Sequence, residues 1–525
     1  MSNASMKEVA GASMLNMVAN INRIALAFLT SVLASRWLGS HAFGEFSLIF
    51  SYTAVLSYIL TFGFDSSIPY FIAYYGHRNL GHRSKKLFRF SLYLCVLGGG
   101  STLLLGLAAL TVLTRNPSWS HLFWPVLLML GHTVPTALSS ICSGLLKGIK
   151  IFVPTILREQ ILFPVLHLVS LIVFVKICAT GLTGYTLGYF ASSLLAFGYL
   201  GLVTKKYSKK FFQNISAGSS AHNRSVHIGS NDELLPSEIL VDQYPTPKKW
   251  FTFSLPLGLT NALDSIIVSA TIIYTGWHLL PKDVGIYQAS LRLTLFVQFL
   301  AIAIIPIFSP YIAAVFQKRN TIELRNHYQQ VVFWSSKWAL LFGFLLATNA
   351  NMMLGIFGAD FVSPSSVMCL QIILIGSLME ACFVVAKHSL VMAGYNRLSI
   401  VNSVVAITLI AVLSPILIPR YGLPGASLVY ALSFFVLNLL RVAQFYYIFK
   451  VPPLNLRQLS YLGSLTVIIF MMGYLMPHLG LTSLYQLGFS FVLFTGGLLV
   501  VFWSDRNSFL GKILKSRFIP FITRK

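Results

Sequence analysis

Charged residues are scarce in this chain. Asp, Glu, Lys and Arg supply 10% of its 525 residues, and only 14 are acidic, where an average soluble protein is about one quarter charged. With 56% hydrophobic residues and a mean hydropathy of +0.75, that scarcity excludes a string of three or four soluble domains and indicates an integral membrane protein. Patterned cysteines are lacking too. Cys95, Cys142, Cys178, Cys369 and Cys382 lie in or beside apolar runs without CxxC spacing, so they read as small core residues rather than a disulfide framework or zinc site. No GxxxxGK[ST], HExxH, GxSxG or DxD occurs, which removes the phosphate-cradling loop of an ATPase and the common hydrolase signatures. The outer loops are short and carry only Glu45, Asp283 and Asp360 as acids. An enzyme working on sugars outside the membrane would need an acidic pair on a long outer loop, so no catalytic residue is assigned, and no metal or cofactor is expected. The N-terminus lacks a short apolar core followed by a small-residue cleavage site, so its first apolar run reads as a retained span.

What is abundant is apolar sequence in runs long enough to cross a bilayer, for which about 20 residues suffice. Such runs lie near 13–35, 44–74, 87–113, 122–146, 151–177, 181–204, 250–278, 284–315, 331–356, 363–393, 398–418, 424–449, 458–479 and 482–503. The 38 Lys and Arg residues give a formal charge of +24, but they are scattered through short loops instead of gathered on one surface, which argues for a bilayer partner and against nucleic acid. With a cytoplasmic N-terminus, 27 of them (including Arg78, Lys318 and Arg319) fall inside, five outside (Arg36, Arg115, Lys176, Lys282 and Arg420) and six within spans. That bias is the expectation of the positive-inside rule, so the reading is fourteen spans with both termini cytoplasmic. The polar stretch 205–249 reads as a cytoplasmic linker. The basic tail from Asp505, with Phe509, Ile513, Leu514 and Phe518, reads either as a segment lying on the anionic inner leaflet or as a solvated tail.

A shift of 241 residues superposes two separated segments. Leu38, Phe43, Gly44 and Phe46 fall on Leu279, Val284, Gly285 and Tyr287, while Gly181, Leu182, Gly184, Leu187, Tyr189 and Ser192 fall on Gly422, Leu423, Gly425, Leu428, Tyr430 and Ser433. Because the offset spans six helices, an even number, the halves share one topology. The expected architecture is therefore an all-α membrane protein with a first lobe at 1–204, the linker at 205–249, a second lobe at 250–449, and an appended pair of spans with the tail at 450–525.

Ten ionisable residues fall within spans: Arg23, Asp65, Arg158, Glu159, Asp264, Arg292, Lys337, Glu380, Lys387 and Arg441. At about 2.5–3.5 kcal/mol for each charge at mid-membrane, they must meet water, one another or an interface. Lys337, Arg158 and Arg441 lie about two turns from cytoplasmic ends, within snorkelling reach. Arg23, Asp264 and Glu380 lie near span centres, beyond it. The repeat carries Asn20 onto Asn261 and Arg23 onto Asp264, which suggests an Arg and an Asp facing each other, as a gate or as a static clamp. Glu380 and Lys387, seven apart, share a helix face without reaching one another. The substrate-binding candidates are Arg23, Asp264, Arg292, Glu380 and Lys387; Asp65, Arg158, Glu159, Lys337 and Arg441 are secondary. Pro69, Pro135, Pro154, Pro164, Pro256, Pro306, Pro310 and Pro415 are expected to kink spans, for packing or for motion. Gly184 and Gly188 form a GxxxG suited to helix packing.

Arg36, Trp37, Leu38 and Gly39, followed by Phe43, Gly44, Glu45 and Phe46, resemble the opening signature of polysaccharide-biosynthesis (O-antigen, Wzx-type) flippases. So do Leu255, Pro256 and Asp264 with Val284, Gly285, Ile286, Tyr287, Ala289 and Arg292, and Gly422–Ala426 entering the twelfth span. The resemblance implies the multidrug/oligosaccharidyl-lipid/polysaccharide (MOP) exporter fold, two six-helix lobes around a central cavity, and flipping of undecaprenyl-diphosphate-linked oligosaccharide across the bacterial cytoplasmic membrane. Related lipid II flippases use cavity arginines, which Arg23 and Arg292 resemble by helix. Coupling to H+ or Na+, and a polysaccharide polymerase as partner, are further expectations of that likeness. A drug or cation antiporter of the same superfamily is the main alternative, and a membrane polymerase or ligase the second.

Overall fold

A chain this apolar satisfies its backbone inside a bilayer by folding as helix. In the computed structural model every described element is helical. The structure describes residues 3–77, 81–113, 115–216, 246–317 and 321–478. The helices are α1 (Asn3–Ile59), α2 (Phe64–His77), α3 (Gly81–Leu113), α4 (Phe123–Gly148), α5 (Val153–Leu157), α6 (Phe163–Leu171), α7 (Gly181–Ser216), α8 (Pro247–His278), α9 (Pro281–Gln317), α10 (Thr321–Thr348), α11 (Ala350–Gly355), α12 (Pro364–Met392), α13 (Asn396–Phe449) and α14 (Leu456–His478). Among the described residues ten stretches are long and apolar enough to cross a membrane, and two of these, Val18–Ile72 and Arg397–Phe449, have 55 and 53 residues, enough for two crossings each. The described parts of the first thirteen predicted spans fall largely on helix. The fourteenth, the basic tail, the middle of the linker (217–245), Arg78, Lys318 and Arg319 lie outside the described residues.

The long helices break where the backbone adopts conformations that favour glycine. Gly39 (φ 79°) divides α1, and Gly422 (φ 60°) divides α13. Gly181 (φ 58°), which opens α7, is the repeat mate of Gly422 at the 241 offset, and both enter the last helix of a half with positive φ. The repeat is visible in packing as well. A Cβ on Gly44 would collide with the carbonyl of Pro281, and one on Gly285 with the carbonyl of Ser40. Ser40 and Pro281 are themselves 241 apart, so the two contacts are mirror copies.

The described residues form two compact units, one running to Gln288 and one from Ala289. The sequence-based division fell in the 205–249 linker; here the first unit includes α8. That helix is tied to α1 and α2 by Trp250 Nε1, which donates to the Tyr75 hydroxyl (2.8 Å), by the Ser67 and Ser254 hydroxyls (2.6 Å), and by Trp277 Nε1, which donates to the Tyr52 hydroxyl (2.6 Å). In the second unit, Tyr328 stacks on Phe445 at 4.2 Å and Gly376 packs against the Ala431 backbone.

Two predicted spans are less regular than expected. The run 44–74 is interrupted by a turn at Leu60–Gly63, where Phe62 and Gly63 take positive φ and Gly63 lies against the Ser254 carbonyl and Gly258. The run 151–177 contains π-helical turns at Arg158–Leu162 and Ile172–Ile177. Proline explains the first of these turns. Pro164 has no N–H for the Gln160 carbonyl one turn earlier, and the Asn22 amide donates to that carbonyl instead (3.1 Å), while Gln160 Nε2 donates to Asn16 (2.6 Å). Asn22→Ala should therefore lower stability by about 1–3 kcal/mol, the cost of an orphaned buried carbonyl. Adding Pro164→Ala should restore part of the loss by returning the backbone donor. Thermal unfolding of the purified single and double variants measures both, and additive losses would contradict the substitution.

Candidate functional site

The turn at Leu60–Gly63 places Asp65 in the first turn of α2, where the exposed N–H groups of the helix favour negative charge. Thr61 Oγ1 donates to Asp65 Oδ1 (3.1 Å); Ser66 Oγ and Asn261 Nδ2 donate to Oδ2 (both 3.2 Å), and Asn261 also reaches the Ser66 hydroxyl (2.9 Å). Side chains from α2, its approach and α8 thus converge on the carboxylate within the membrane-crossing region, Thr61 also reaching the Tyr58 carbonyl (2.8 Å). Gly144 of α4 packs against the Asp65 carbonyl, whose helical donor Pro69 has removed.

Around this carboxylate the first unit collects its other charges. Arg23 Nε donates to Asn20 Oδ1 (3.3 Å). The carboxylate that acts on Arg23 most strongly is Glu159, itself held by Ser143 Oγ (3.1 Å). Tyr58, 44% exposed, lies within electrostatic reach of Asp65, Glu159, Asp264 and Arg23. Arg23, Asp65, Glu159 and Asp264 are each half-buried. Ionic groups on membrane-crossing helices that remain accessible in this way must meet water and not acyl chains. The Arg23–Asp264 pair suggested by the repeat is not a direct contact: Arg23 turns to Asn20 and Glu159, and Tyr58 stands within reach of both. The related asparagines divide the work, Asn20 accepting from Arg23 and Asn261 donating to Asp65. Arg158 is buried, with its guanidinium 5.9 Å from the Phe163 ring.

In the second unit Glu380 has a direct partner that sequence reasoning left as a snorkelling residue. Arg441 Nη1 donates to Glu380 Oε2 (2.9 Å), Asn438 Nδ2 donates to the same oxygen (2.7 Å), and Arg441 also donates to Asn438 Oδ1 (3.1 Å). Lys387 acts on Glu380 from further away, as their seven-residue separation implied. Lys337 does not snorkel either. It is 1% exposed, and its ammonium faces Phe333 (3.9 Å), Tyr461 of α14 (5.0 Å) and Trp334 (5.6 Å), an aromatic enclosure that replaces water by ring quadrupoles. Arg292 lies half-buried on α9. Among the described residues no group of three or more His, Cys, Asp or Glu side chains is placed to hold a metal ion. Sequence reasoning missed Tyr58, Asn22, Gln160, Ser143 and Asn438. Two of these had a signal: Asn438 lies one turn before Arg441, and Gln160 lies one turn before Pro164.

No family model and no curated protein matches the sequence. Solved structures do. A multidrug-resistance MATE transporter of the MOP superfamily in an inward-facing conformation covers 83% of this chain and 98% of its own at 13% identity, with a TM-score of 0.63. The lipid II flippase MurJ in an inward closed conformation covers 94% and 99% at 12% identity, with a TM-score of 0.68. The chain has the fold of these membrane transporters. A third MOP-superfamily transporter, from Pyrococcus furiosus and described as having a binding pocket of reversed polarity, covers 84% and 95% at 14% identity, with a TM-score of 0.55. The shared fold and its long apolar helices make this a multi-pass membrane protein.

The Glu380 cluster is tight enough to test by stability alone. Arg441→Met should cost about 3–5 kcal/mol by stranding a buried carboxylate, and Glu380→Gln in the same chain should recover much of it. Thermal unfolding of the two single variants and the double variant would refute the pairing if the losses simply added.

Proposed function

We propose that this protein is a flippase that moves a polyprenyl-diphosphate-linked oligosaccharide from the cytoplasmic to the outer leaflet of the bacterial cytoplasmic membrane by alternating access, both termini being cytoplasmic. The observation that carries the reading is a set of accessible ionic side chains on membrane-crossing helices, in a fold shared with a lipid II flippase. An amphiphile with a charged head and a long apolar tail is the substrate such a surface suits: the head exchanges water for Arg23, Arg292 and Lys387, and the tail stays in lipid. Asp264 and Glu380 are the counter-charges in the empty state or the acceptors of a coupling H+ or Na+. No bond of the substrate is broken in this scheme, and a polysaccharide polymerase would act on the delivered unit outside.

One observation favours a second reading. The first unit's intramembrane charges are two basic and three acidic, Arg23 and Arg158 against Asp65, Glu159 and Asp264. An acidic surplus beside the Tyr58 ring is what an organic-cation antiporter would use. In the second unit the balance is reversed, with Arg292, Lys337, Lys387 and Arg441 against Glu380, and a diphosphate suits that unit best.

Depletion of the protein should leave labelled lipid-linked oligosaccharide on the cytoplasmic leaflet. Arg23→Ala and Asp264→Ala should each reduce flipping at least about tenfold, the equivalent of one lost ionic interaction, while the variants remain inserted. Wild-type flipping by both would remove these residues from the site. Gradient-driven efflux of a cationic dye with normal oligosaccharide exposure would replace the flippase by the antiporter.

A further inference from the structure

Arg158 differs from every other intramembrane charge described above. It is 8% exposed, its Nε is buried without a partner, and its guanidinium makes no hydrogen bond to a described residue. A guanidinium carries five donors in a planar fork and stays charged, so a buried one without acceptors is a strong departure from the rule that buried polar groups are satisfied. The π-helical turn that begins at Arg158 carries the side chain into the interior of the first unit. From α4 it meets the electrostatic influence of His132 and Cys142, from α7 that of Tyr189, and from its own span that of Glu159, with the Phe163 ring at 5.9 Å.

These neighbours do not complete it. The one carboxylate, Glu159, is bonded by Ser143 and also serves Arg23, so two guanidinium groups share a single negative charge. His132, 5% exposed, meets Thr136 through its ring nitrogens (3.2 and 3.3 Å) and Tyr189 edge-on (4.6 Å between ring centres). One turn before Arg158, on the same helix face, Thr155 is 2% exposed and its hydroxyl has no partner. Around Arg158, then, its own Nε and the Thr155 hydroxyl are donors without acceptors, the Gln160 Oε1 two residues on is an acceptor without a donor, and the one carboxylate in reach is shared with Arg23.

We propose that this interior binds a small monovalent inorganic anion of the size of chloride, held by the Arg158 guanidinium with the Thr155 hydroxyl as a further donor. An anion supplies both the missing acceptor and the missing negative charge; water supplies only the first. The aromatic walls formed by Phe163, Tyr189 and His132 favour a single charge, because the desolvation cost of an ion rises with the square of its charge. The site shares Glu159 with the Arg23–Tyr58 group, and the proposal does not depend on the transport reading.

The test uses the purified full chain in phosphatidylcholine nanodiscs, which present no net anionic headgroup, at constant ionic strength. Replacing sodium gluconate by sodium chloride or bromide should raise the thermal unfolding midpoint along a saturating curve, as for any ligand bound by the native state. Arg158→Gln should abolish that increase, and Thr155→Val should weaken chloride affinity by about fivefold, the equivalent of one hydrogen bond. Equal midpoints in gluconate and chloride would overturn the proposal, as would stabilisation by phosphate alone, the mark of a headgroup site, or stabilisation that persists in Arg158→Gln. If Arg158→Gln does not fold, Thr155→Val decides, and unchanged chloride affinity in that variant would overturn it.

Discussion

A charge on a membrane-crossing helix has to be solvated by something other than lipid, and two local irregularities of this structure stand beside such charges. Asp65 is served by the start of a helix that exists because Phe62 and Gly63 break the preceding one. Glu159 lies on a π-helical turn, followed by a proline whose missing donor is replaced by Asn22. Glu380 and Arg441 sit on regular helix and neutralise each other directly. Lys337 is enclosed by rings. A break precedes Asp65 and a π-helical turn carries Glu159, whereas the closed Glu380–Arg441 pair lies on regular helix. Accessible charges keep some of their solvation from water, so the protein has to hold only part of each group's hydrogen-bonding capacity, and an open turn does this with fewer side chains than a buried pair requires.

Most of the architecture was legible in the sequence, because a bilayer leaves one option for an apolar run of twenty residues. The repeat was legible for a related reason. Gly44 and Gly285 are required by reciprocal close contacts, and Gly181 and Gly422 by positive φ, so glycine survives at these four positions after most flanking letters have diverged. The site was less legible. The ten ionisable residues stand out against an apolar background, but which of them meet depends on helix rotation and on breaks that periodicity does not register. Arg23 and Asp264 are related by the repeat and yet have different neighbours, because Asn20 and Asn261 turn to different charges. Arg441 reads as a snorkelling residue by its distance from a helix end, and only packing against Glu380 shows otherwise.

Identities of 12–14% over more than four-fifths of the chain show how little sequence this fold requires. Side chains on lipid-facing surfaces need only be apolar, and small residues at close helix crossings do most of the specifying. The charged residues are under no such architectural demand. Removing Asp65 would leave α2 its start at Gly63, and replacing the Glu380–Arg441 pair by apolar residues would leave α12 and α13 packed through Gly376.

Function therefore has to be read from the charges that the fold does not need. Their distribution is uneven: an acidic surplus in the first unit and a basic surplus in the second. A carrier of one simple cation would need only the first, and a carrier of one simple anion only the second. The proposed substrate, a lipid diphosphate bearing sugars moved together with a coupling cation, would need both, since an anionic head and a driving cation require sites of opposite sign. The unequal division of charge between the two units is the feature that this proposed substrate would explain most directly.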